Sequence, residues 1–118
     1  MKWQNYSSTF DFRTAHPREF VDDLLLSVVG LFGGNFIGHA KCIVTSNDRQ
    51  YFASTTGLPP IVEWTPILSD TSVSGYRVEA VWIFLTGWGP VPEDEHVNEA
   101  LEKVAARYRI RLQKFIRK

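Results

Sequence analysis

The chain has 118 residues, 44% of them hydrophobic, 14% aromatic and 22% charged, with 13 basic residues against 13 acidic ones. That size and balance predict one globular domain over residues 1–118 with a modest core, and leave no room for a second domain. One cysteine, Cys42, cannot staple the fold, and MKWQNYSSTFDF lacks the apolar run of a signal peptide, so the expectation is a cytoplasmic protein without a membrane anchor.

In chain order, YSSTFDFRT alternates Phe10 and Phe12 with polar residues, which predicts a half-buried strand over 6–14. A helix follows: Pro17 suits its first turn, Glu19 favours its positive end, and Phe20, Leu24, Val28 and Leu31 recur at helical spacing until Gly33 and Gly34 stop it. The uncharged run from Leu24 to Gly38 holds four glycines and is too short to span a bilayer.

From Asn35 to Thr45 the period changes to two. Phe36, Gly38, Ala40, Cys42 and Val44 share one side, and Ile37, His39, Lys41, Ile43 and Thr45 the other. Ser46-Asn47-Asp48-Arg49 predicts a tight turn into the strand QYFAST, making a β-hairpin. PIVEWTPILS, 60–69, is a further strand candidate, placed at an edge because Pro66 has no N–H to give to a ladder. After a polar loop at 69–75, YRVEAVWIFLTG (76–87) is dense in β-branched and aromatic residues and predicts a central strand. The last helix starts at Glu93, Asp94 and Glu95 and carries the stripe Val97, Leu101, Val104 and Tyr108. Beyond Tyr108, RYRIRLQKFIRK fits both a strand and a continued helix. The order β-α-β-β-β-β-α plus a tail predicts an α+β fold, a mostly antiparallel four- to five-stranded sheet with two to three helices on one face.

Charge is unevenly spread. Arg107, Arg109, Arg111, Lys114, Arg117 and Lys118 fall in the final twelve positions with no acid among them, so the tail 107–118 carries +6 and the remainder −6. Such a tail fits either a nucleic-acid contact or a solvated segment folding back on an acidic body, and the second is expected because nucleic-acid binders are usually basic throughout.

Complete catalytic patterns are missing from the sequence. It has no G-x-x-x-x-G-K-[ST] phosphate loop, and its three histidines, His16, His39 and His96, fall in three different elements. HAKC places His39, Lys41 and Cys42 within four residues, which raises thiol chemistry at Cys42 and metal binding at His39 and Cys42 as candidates. In a regular strand those two side chains point to opposite faces, so Cys42 is expected to act as a small core residue. His39, Lys41 and Arg49 form a candidate electropositive partner surface, with Arg107, Arg109 and Arg111 as a second contribution. Tyr51, Phe52, Trp64, Trp82, Phe84 and Trp88 suit either a nucleic-acid stacking platform or an ordinary core, and no RNA-binding signature string supports the platform.

Taken in order, several segments resemble the C-terminal domain of the CobW family of metallochaperone-type GTPases. RTAHPREFV is similar to a phrase of the type R-P-F-h-P-x-r-l through Arg13, His16, Pro17 and Phe20, and GHAKCIV to a strand of the type R-x-K-G-[fil]-[vl]-W through Lys41. Trp64 beside its prolines, YRVEAVWIFLTG and VPEDEHVNEAL follow in the family's sequence of motifs, so the likeness runs over about residues 10–106. The Phe of R-P-F is missing, Cys42 replaces the strand glycine, and the 118 residues contain no GTPase domain. The resemblance implies a non-catalytic accessory domain without a cofactor, whose partner is a GTPase domain, in cis or in trans, or a client metalloprotein. Alternatives are a nucleic-acid module using the basic tail and an enzyme with Cys42 as nucleophile.

Overall fold

A computed structural model of the chain describes residues 3–31, 37–57, 59–69, 75–85, 93–112 and 116–117. The elements are β1 (Trp3–Arg13), α1 (Pro17–Gly30), β2 (Ile37–Ser46), β3 (Arg49–Thr56), β4 (Ile61–Thr65), β5 (Gly75–Leu85), α2 (Asp94–Arg107) and β6 (Ile116–Arg117). All strand pairings are antiparallel, and the six strands form one sheet in the order β4-β3-β2-β5-β1-β6. This is the expected α+β fold, with five full strands and a two-residue sixth at one edge.

The central position of β5 follows from its composition. It pairs with β1 along its whole length on one side and with β2 on the other, so its β-branched and aromatic residues have neighbours on both flanks. Because β1 and β2 each run antiparallel to β5, they are parallel to one another, and α1 is the crossover between them.

One face of the sheet is closed. Rows of residues run across the strands beneath the helices: Tyr51, Val44, Val78 and Phe10 in one, Ala53, Cys42, Ala80 and Ser8 in the next. That second row is small, which lets α1 approach the sheet and fill the space with Phe20, Leu24, Leu25 and Val28, all buried. Phe12 stacks on Tyr76 with ring centroids 5.2 Å apart and meets Phe20 edge-on at 4.9 Å, closing the core beside β1. Val97, Leu101, Val104 and Ala105 bury the inner stripe of α2 against the same core.

Polar bonds fix the layers. The indole Nε1 of Trp64 donates to Asp22 Oδ1 at 2.6 Å, tying β4 to α1, and the Tyr108 hydroxyl donates to Asp23 Oδ2, tying the end of α2 to α1. The buried amide of Ala40 donates to Thr55 Oγ1 at 3.0 Å, supplying a partner just past Lys41 and Ser54, where the paired residues of β2 and β3 end.

β1 starts at Trp3, earlier than the expected 6, and three further boundaries differ from the expectation or settle what it left open. The first helix ends at Gly30, before Gly33 and Gly34, which lie outside the described residues. β4 covers only Ile61–Thr65, at the sheet edge as foreseen, because the chain leaves the ladder at Pro66. The last helix stops at Arg107, and Arg109 adopts a left-handed conformation with φ 58. Ile110 N then donates to Ala105 O at 3.0 Å and Arg109 N to Ala106 O at 3.1 Å, a Schellman-type stop made without glycine. The tail therefore turns away, and Ile116–Arg117 pairs with β1 as a short strand. No helix among the described residues is long and apolar enough to cross a membrane.

Candidate functional site

Among the described residues, the sheet's second face carries no helix. Alternation along the strands points Lys41, Ile43 and Thr45 of β2, Gln50, Phe52 and Ser54 of β3, Arg77, Glu79 and Val81 of β5, and Thr9 and Asp11 of β1 away from the core. The register makes neighbours of Lys41 and Val81, and of Phe52, Ile43 and Glu79 across three strands. Phe52 is 48% exposed, one of the most exposed large apolar side chains described, and Ile43 beside it and Val81, diagonal to Ile43, are half-buried. Lys41, Ile43, Phe52, Ser54, Glu79 and Val81 outline a shallow concavity of about 360 Å³. It is an apolar centre with a cation and a carboxylate on its rim. Farther out, Arg77 Nε meets Asp11 Oδ1 at 3.0 Å, and the guanidinium holds that carboxyl below the usual range.

Cys42 lies on the closed side. It is 4% exposed, and burial, with the Asp22 charge as a smaller cause, pushes its thiol up to about 12. At neutral pH it is a protonated core side chain, and it faces away from exposed His39. Among the described residues, no three His, Cys, Asp or Glu side chains converge as a metal site requires.

The expected partner residues are divided between surfaces. His39 and Lys41 stand on the open face. Arg49 sits opposite buried Ser46 at the hairpin end, in the alternation of the helix side, so it does not join them. Arg107, Arg109 and Arg111 are exposed at the C-terminal end of α2, in the helix layer. The aromatic set is also dispersed: Trp82 is core, Tyr51 and Trp64 are half-buried on the helix side, and Phe52 is on the open face. Trp88 and the Phe84 side chain lie outside the described residues.

Sequence reasoning did not single out Phe52, Glu79 and Val81 as surface residues of one site. The signal was there for Phe52, whose neighbours Tyr51 and Ala53 have the opposite parity, but grouping it with the core aromatics concealed it. Compared with protein-family models, with curated proteins and with solved structures, the chain gives no significant match.

Proposed function

We propose that this chain is a non-catalytic interaction domain of the CobW type, which binds a GTPase domain through the open face of its sheet in a cytoplasmic setting. The observation that carries the reading is the apolar centre formed by exposed Phe52 with half-buried Ile43 and Val81, on strands packed from behind. Exposed aromatics set in a concave surface with a charged rim are what a protein partner uses as an anchor. The buried, protonated Cys42 favours this over thiol chemistry, and the position of the described tail arginines on the helix layer favours no nucleic-acid groove.

Titration against the GTPase domain of a CobW-type protein tests the proposal. A complex forming at or below the order of tens of micromolar is expected, with Phe52→Glu weakening it at least about tenfold. Absence of association over that range contradicts it.

A further inference from the structure

At the centre of the open face the charge pattern is complementary to itself. Lys41 and Val81 are register partners, and so are Ile43 and Glu79 two positions along, so these four residues form a rectangle with the apolar pair on one diagonal and the opposite charges on the other. Among the described residues neither Lys41 nor Glu79 is held in an ion pair of its own chain. Across the outward positions of the described strands, Arg13, Lys41 and Arg77 balance Asp11, Glu63 and Glu79, so two such faces meet without net repulsion.

We infer that the open face binds a second copy of this chain, as an isologous dimer whose two-fold axis runs between the sheets along the Ile43–Val81 diagonal. A rotation about that line sets Ile43 on Ile43 and Val81 on Val81 and brings each Lys41 over the Glu79 of the other copy. With strands about 4.8 Å apart and same-face residues about 6.7 Å apart, the axis lies roughly 35° from the strands, and the sheets cross at roughly 70°, near the orthogonal class of sheet packing. The same rotation sets Asp11 over Glu63 of the other copy, two carboxylates for which Arg77, already bonded to Asp11, is the neighbouring cation. Three outward residues of β4 and about four on each of β3, β2, β5 and β1 present about 600 Å² per copy, and the resulting total of about 1,200 Å² is at the lower end of specific interfaces, which fits a reversible dimer. The inference rests on the reading of this face as an interaction surface and names what covers it when the chain is alone.

Sedimentation of the full chain over a concentration series, from about 1 to several hundred micromolar, reads the association. The wild type is expected to pass from monomer to dimer within that range. Lys41→Glu and Glu79→Lys each place like charges together twice per dimer and weaken it at least about tenfold, and the double variant K41E/E79K recovers to within about threefold of wild type. Both side chains are exposed, and unchanged thermal unfolding of the variants verifies folding. A monomer at all concentrations, single variants that associate like wild type, or a double variant no better than the singles overturns the inference. A monomeric chain that still binds the GTPase domain through Phe52 removes the dimer alone. A charge-swappable dimer that ignores that domain supports the dimer and removes the partner reading.

Discussion

The two faces of this sheet use the same strands and opposite chemistry. On the helix side, positions 40, 42, 44, 53, 78, 80 and 82 are apolar and buried. On the other side, the residues between them are Lys41, Ile43, Phe52, Glu79 and Val81, polar and apolar mixed, with no helix over them among the described residues. The first face is selected for volume, so its residues carry stability. The second is free of that constraint, and its apolar members are available for binding.

Substitutions sharpen this contrast. Phe20→Ala removes a wholly buried ring that packs on Phe12 and Tyr108 and is expected to cost about 3–5 kcal/mol in urea unfolding. Phe52→Ala on the open face is expected to change the monomer by less than about 0.5 kcal/mol. Equal losses at the two positions would break the comparison.

The next effect is the pH dependence of Cys42. The folded thiol is pushed up to about 12 from an ordinary 9.0, so it contributes nothing below about 9, where both states are protonated. Above that the unfolded thiol ionises first, and stability is lost as pH rises towards the folded value. Between pH 9 and 11, wild type should lose about 1.4 kcal/mol per pH unit more than Cys42→Ala, measured by denaturant unfolding at each pH. Parallel slopes would place the sulfur in solvent.

Thr55→Val leaves the buried Ala40 amide without its hydroxyl partner and is expected to cost about 1–3 kcal/mol. The smallest effect has the opposite sign. Arg109→Gly relieves a left-handed backbone at the end of α2 and should stabilise the fold by about 1 kcal/mol, seen as a higher midpoint in the same titrations.

Where the sequence was legible, the signal was local. Period two put Cys42 inside and His39 outside, Asn47 and Asp48 gave the hairpin turn with φ 51 and 63, and the density of β5 predicted its central place. The insertion of β5 between β1 and β2 was not legible, because pairing between residues 32 to 82 positions apart leaves no local pattern. The tail defeated the reading for another reason: its helix stop uses Arg109, a residue that signals no turn, where glycine would have announced one. The open-face site needed the cross-strand register, since Lys41, Phe52, Glu79 and Val81 come from three strands and meet only in the sheet.

The division into a closed and an open face is tested most directly by thiol labelling at two adjacent positions, at low micromolar concentration, below the range in which the proposed dimer is expected to form. Native Cys42 is expected to stay unlabelled until the protein unfolds, while the Ile43→Cys, Cys42→Ala variant labels in the folded state. Rapid labelling of native Cys42, or protection at position 43 in the dilute monomer, would contradict the account.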